Sequence, residues 1–132
     1  MSTKVKISSM GFPFPLGKII PGATFAAASA PLTQNYTPTD DAGNPIRMFN
    51  GVFITAWAGN AAGTVASNSG PIYICSNALA PDLILFSNVI AVLYPGDSFP
   101  RSKEWSGNRD IGTLYIGAEN GADFAIASID QF

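Results

Sequence analysis

No histidine occurs anywhere in the 132 residues, and cysteine occurs once. The first absence removes the commonest general base and the commonest metal ligand. The second excludes an intrachain disulfide and any thiolate metal cage. Charge is scarce too: charged residues make up 12% of the chain, about half the usual share. Seven Lys+Arg against nine Asp+Glu leave no basic face for nucleic acid. No apolar run approaches the roughly 20 residues of a membrane-spanning helix. A glycine-rich phosphate loop leading into a helix is missing, as is any metal-ligand spacing. What is present is apolar: hydrophobic residues are 47% of the chain and the net charge is only −2, which argues against disorder. The length suits one domain. A chain of this size buries about 70% of its unfolded surface and needs no metal or disulfide staple.

Cys75 lies in the apolar run Ile72-Tyr73-Ile74-Cys75 and reads as a small buried hydrophobe, since no histidine is at hand to activate it. The N-terminus superficially resembles a signal peptide, with Lys4 and Lys6 ahead of apolar residues and Ala26-Ala27-Ala28-Ser29-Ala30 imitating a cleavage site. Pro13, Pro15, Lys18 and Pro21 break the apolar stretch such a peptide requires. The expectation is an uncleaved chain made in a cytoplasm.

Thirteen glycines and ten prolines punctuate the chain every few residues, and the pieces between them have strand length. Lys4 to Ser8 alternates charged and apolar residues as a short first strand. Residues 11–22, GFPFPLGKIIPG, should run extended as an arm or edge segment. Thr24 to Ser29 is a further strand candidate, although its alanines also allow a helical turn. Leu32 to Arg47 holds the long polar stretch QNYTPTDDAGNP and reads as a surface loop. Gly51 to Ala58 is a strong strand candidate, rich in β-branched and aromatic residues, with Thr64 to Ser67 as its return. Pro71 to Ser76, Asn88 to Tyr94, Asp97 to Arg101, Gly112 to Gly117 and Asp123 to Ile129 complete the set. Pro95-Gly96 and Glu119-Asn120-Gly121 are turns, the second carrying a hairpin signal. Pro81 to Ser87 fits a single helical turn opening on Pro81-Asp82. The pattern predicts an all-β fold, a β-sandwich, jelly roll or small barrel. In Val52–Ala58 and Val89–Tyr94 both faces are apolar, which requires either central strands or a sheet face packed on another protein. So few charges favour an assembled state.

The candidate sites each have a plain reading. Thr39-Asp40-Asp41-Ala42-Gly43-Asn44 faintly resembles a calcium loop but lacks the spacing and the closing glutamate, leaving an Asp/Asn/Gly turn. Glu119 and Asp123 bracket Asn120-Gly121 and could face each other as a glycosidase pair, but nothing else suggests a sugar cleft. Ser98 after Asp97 has no histidine or nearby lysine to activate it. Arg101, Lys103, Glu104, Arg109 and Asp110 surround Trp105, either as a solvated loop or as a contact loop of the Trp/Arg kind common at binding hot spots.

From Gly70 onward the chain resembles the small β-sandwich capsid cement or decoration proteins of tailed bacteriophages. The resemblance rests on the order of Gly70-Pro71-Ile72-Tyr73-Ile74, Asn88-Val89-Ile90-Ala91-Val92-Leu93, Tyr94-Pro95-Gly96-Asp97-Ser98-Phe99, and the run from Leu114 to Ala127. It covers about half the chain. It implies a jelly-roll-like sandwich; with the proline-rich stretch read as an extended arm, residues 1–22 are the N-terminal arm and residues 23–132 one antiparallel sandwich domain. It also implies a non-enzymatic virion protein that binds the capsid surface and is made in the host cytoplasm. Its partners would be the major capsid protein and copies of itself, without nucleic acid, membrane, small-molecule substrate or cofactor. The expected contacts are Phe12, Phe14, Leu16, Ile19 and Ile20 in the arm, with Arg101, Trp105 and Arg109 as a second set. The alternative for the arm is an edge strand of its own sandwich. A tail, collar or fibre component is the neighbouring role. A carbohydrate-binding sandwich, stacking sugars on Tyr36, Trp57 or Trp105, is the reading from a different class.

Overall fold

The computed structural model describes residues 2–7, 13–22, 28–100 and 109–131. In chain order its strands are β1 (Thr3–Lys6), β2 (Phe14–Ile19), β3 (Ala30–Pro31), β4 (Tyr36–Thr39), β5 (Met48–Phe49), β6 (Gly51–Ala56), β7 (Ile72–Cys75), β8 (Val89–Leu93), β9 (Ser98–Phe99), β10 (Arg109–Asp110), β11 (Tyr115–Ala118) and β12 (Ala125–Gln131). One sheet runs β3-β11-β7-β8 and the other β2-β12-β6-β9, both antiparallel throughout. They pack face to face as a β-sandwich, as the sequence pattern predicts. Two small pairs flank it: β1 with β4, in parallel, and β5 with β10.

The core lies between the sheets. Ile54 and Val52 of β6, Ala127 and Ile129 of β12, and Ile72 and Ile74 of β7 are enclosed there with Leu93 and Ile116. Alternation brings this about: along β6 and β12 every second residue points inward, so Phe53 and Ile126 face outward. Of the apolar outer positions noted in the sequence, Phe53 and Ile90 are exposed, whereas Trp57 and Val92 are half-buried.

Within residues 1–22, expected to be an extended arm, Phe14–Ile19 form strand β2, paired with β12 at the edge of the second sheet. Phe14, Leu16 and Ile19, expected as contacts, are instead enclosed in the chain's own core. Two local features make the proline-rich stretch compatible with a ladder. Pro15, which has no N–H to donate, points outward on an edge strand, where proline is tolerated. The register also slips at the step from Ala127 to Ser128, because Gly17 and Pro15 are their respective partners and Leu16 is the additional residue. Gly17 supplies the positive φ of 84° at this bulge. The slip resets the alternation, so Phe14, Leu16 and Ile19 all face inward although their spacing is uneven, and Ile20 turns outward.

Other expectations change as well. The polar stretch 32–47 contains β4, because Tyr36 to Thr39 pair with Thr3 to Lys6. Thr64 to Ser67 form no strand. Asn60 holds that region as a turn by donating to the Thr64 hydroxyl (2.8 Å) and accepting from Val65 N–H (3.3 Å). The Asn120-Gly121 turn joins β11 and β12, which lie in different sheets, so it is a crossover between the sheets rather than a hairpin. The Asp123 carboxylate fixes it by accepting from the backbone N–H groups of Ser69 and Gly70, both at 2.9 Å. The Thr24–Ser29 strand candidate falls mainly on residues 23–27, outside the described residues.

Candidate functional site: an apolar turn on a polar scaffold

The connection from β7 to β8, residues 76–88, folds back over the outer surface of its own sheet. Pro81 packs on Gly117 of β11, where a Cβ would collide with the proline ring. Three polar side chains build the connection from below. The buried Ser29 hydroxyl is shared between the carbonyls of Asn77 (2.6 Å) and Leu79 (2.9 Å). The buried Asn88 side chain donates to the Ala80 carbonyl (2.8 Å) and accepts from Asp82 N–H (2.8 Å). Asp82 then organises the tip: one carboxylate oxygen accepts from Ile84 N–H (3.1 Å) and Leu85 N–H (2.9 Å), the other from the Ser87 hydroxyl (3.0 Å). These donors, Leu85 N–H foremost, hold the Asp82 carboxyl below its ordinary 3.8.

The scaffold is polar and the tip is apolar. Ile84, Leu85 and Phe86 are 90%, 76% and 53% exposed, and Leu79 is exposed beside them. A run of consecutive exposed apolar residues opposes solubility and calls for a functional reason. Phe86 also sits at φ +52°, in the left-handed region. That conformation costs a residue with a Cβ on the order of 1–2 kcal/mol. Its N–H reaches back to the Asp82 carbonyl at 2.8 Å, closing one helical turn. The sequence reading of a single turn opening at Pro81-Asp82 describes this geometry but missed its significance. The available signal was Leu83-Ile84-Leu85-Phe86 itself, since one turn cannot bury four successive apolar side chains on one side.

The predicted interface residues fare differently. Phe14, Leu16 and Ile19 are buried in the core, whereas Ile20 is exposed. Arg109 lies over the Phe99 ring, 5.5 Å from its centroid, and is half-buried. Phe12, Arg101 and Trp105 lie outside the described residues. Of the sugar-stacking candidates, Tyr36 is exposed but packs edge-on against Phe14. Trp57 stacks on Phe124 at 5.3 Å between centroids, which covers one face of its ring.

The carboxylates considered for chemistry are engaged in structure. Glu119 accepts from the Tyr73 hydroxyl at 2.6 Å. Asp123 is buried on the backbone of residues 69 and 70. Asp40 accepts from Ala42 N–H (3.0 Å) and Asn44 N–H (2.8 Å), the geometry of an Asx turn. Ser98 Oγ bonds Thr55 Oγ1 at 2.9 Å. Burial pushes the Cys75 thiol up to about 11. Among the described residues no group of His, Cys, Asp or Glu could hold a metal ion, and no helix is long and apolar enough to cross a membrane.

No protein-family model, curated protein or solved structure matches this chain.

Proposed function

We propose that this protein is a structural component of an assembly, acting by docking rather than by chemistry, and that the assembly is a tailed-bacteriophage capsid that it decorates and stabilises. One observation carries the assembly reading: the turn at Ile84, Leu85 and Phe86 is apolar, exposed and rigidly held by Asp82 and Asn88. The polar scaffold fixes the tip in advance, which lowers the ordering cost of association. The contact thus moves from the N-terminal stretch, where Phe14, Leu16 and Ile19 are in the core, to the β7–β8 connection. The capsid setting comes from the order of turn and strand sequences beyond Gly70.

Magnitudes favour a repetitive partner. Burying three large apolar side chains contributes about 5–9 kcal/mol, at roughly 1.5–3 kcal/mol each. Association costs an estimated 4–15 kcal/mol in lost freedom. The turn alone is therefore a weak contact, and durable binding needs several engaged at once, as a lattice of identical sites provides. A protein that binds only the closed, expanded shell adds its binding free energy to that state. The test is co-sedimentation with expanded empty capsids of a tailed phage. Wild type is expected to pellet with the shells and Leu85→Glu to stay in the supernatant. A wild-type chain that never pellets with such shells refutes the capsid role.

A further inference from the structure

We infer that the apolar turn of one copy docks on the outer face of the β2-β12-β6-β9 sheet of a second copy, in a head-to-tail contact. The inference rests on the assembly reading above and names a partner for the same turn.

The receiving face is set by strand register. Lys18, Ile126, Thr55 and Ser98 form one row across β2, β12, β6 and β9, and Pro15, Ser128 and Phe53 form the next. Phe53 and Ile126 are both exposed. They are diagonal neighbours on adjacent strands and share one apolar patch. Trp57, two residues beyond Thr55 on the same side, extends the patch along its stack with Phe124. The solvent side of an antiparallel sheet is normally polar at such positions.

Charge makes the two surfaces complementary. The turn carries a carboxylate, Asp82, held in its ionised form by three donors. The two rows of the receiving face carry a cation, Lys18, and no acid. Its ammonium lies 4.2 Å from the centroid of the Phe124 ring, beside the apolar patch. A two-fold contact of turn against turn would instead bring two Asp82 carboxylates together, which is repulsive.

Topology makes the contact intermolecular. The turn rises from the outer side of the β3-β11-β7-β8 sheet, where Pro81 covers Gly117. The receiving face is the outer side of the other sheet, with the core between them. No chain can fold its own turn onto its own receiving face. Each copy offers one surface of each kind, so the contact is heterologous and propagates into a closed ring or an open row.

Sedimentation velocity of the full chain over the micromolar range tests this, with Leu85→Glu and Phe53→Glu as disabling variants. Both positions are exposed, and thermal melts check that each variant is folded; Ile126→Glu replaces Phe53→Glu if the latter is not. Wild type is expected to self-associate, and each variant alone to associate at least about 30-fold more weakly, as expected for a hot spot. Lys18→Glu is expected to weaken association several-fold, and added salt to weaken the wild type. Mixing Leu85→Glu with Phe53→Glu is the decisive arm. The first keeps an intact face and the second an intact turn, so together they should form dimers that grow no further. Monomeric wild type, a Phe53→Glu variant associating like wild type, or a mixture that stays monomeric would each overturn the contact. Monomeric wild type that still pellets with capsids overturns this contact alone. Oligomers that ignore capsids support it while removing the capsid role.

Discussion

Leu16 sits at the bulge of β2 with no exposed surface, between the inward-facing Phe14 and Ile19. Replacing it with alanine leaves a hole lined by rigid strand residues, which can collapse only partly. Buried Leu→Ala substitutions of this kind cost about 2–5 kcal/mol. Against a typical domain stability of about 5–15 kcal/mol, that is a large fraction. For a domain of this size each kcal/mol shifts the melting temperature by about 3–6 °C, so Leu16→Ala should lower it on the order of 10–20 °C. Four positions along the same chain, Ile20 is 47% exposed and outside the core. Ile20→Ala should cost under about 1 kcal/mol, close to the usual range for surface changes. Urea unfolding of both variants beside wild type separates the cases: the midpoint should fall for Leu16→Ala, with an unchanged slope. If Leu16→Ala melts together with Ile20→Ala, within a degree or two of wild type, then β2 is not part of the core. The stretch would then be an arm after all.

Two further outcomes concern ionisable groups. Asp82 is held below its ordinary 3.8 by Leu85 N–H and the Ser87 hydroxyl, so its stabilisation of the turn is present above that pH. It is lost as pH falls through the lowered folded value; a carboxyl titration by NMR should place the midpoint under 3.8, with amide protection at Ile84 and Leu85 falling in parallel, and a midpoint at or above 3.8 would contradict the scaffold. Burial raises the Cys75 thiol from 9.0 to about 11, so its neutral form supports the fold fully below pH 9 and progressively less as pH rises towards 11. At pH 8 iodoacetamide should label Cys75 slowly in the folded protein and rapidly in urea; equal rates would show that the thiol is not enclosed.

The sequence by itself determined the class of the fold. Frequent glycine and proline leave only strand-length pieces, and β6, β7, β8 and β12 carry the apolar and β-branched residues that make them strands. It also showed that Phe53 in β6 and Trp57 just beyond it make the outer side of this segment apolar. What it left open depends on contacts between distant residues. Whether residues 14–19 form an arm or a strand turned on a bulge opposite Ala127 and Ser128, and no local pattern contains that register. The Asn-Gly turn carries a hairpin signal, yet Asp123 binds the backbone of Ser69 and Gly70 and sends the chain to the other sheet. The candidate site was the least legible part. A run such as Leu83-Ile84-Leu85-Phe86 reads as buried, because an apolar side chain is normally assigned to the core. Only the tertiary structure shows Ser29 and Asn88, distant in sequence, converging on the Leu79 carbonyl and using their buried polar groups to hold the base of that turn. Local propensity follows from a residue and its neighbours in sequence, whereas exposure follows from which distant groups satisfy the backbone beneath it.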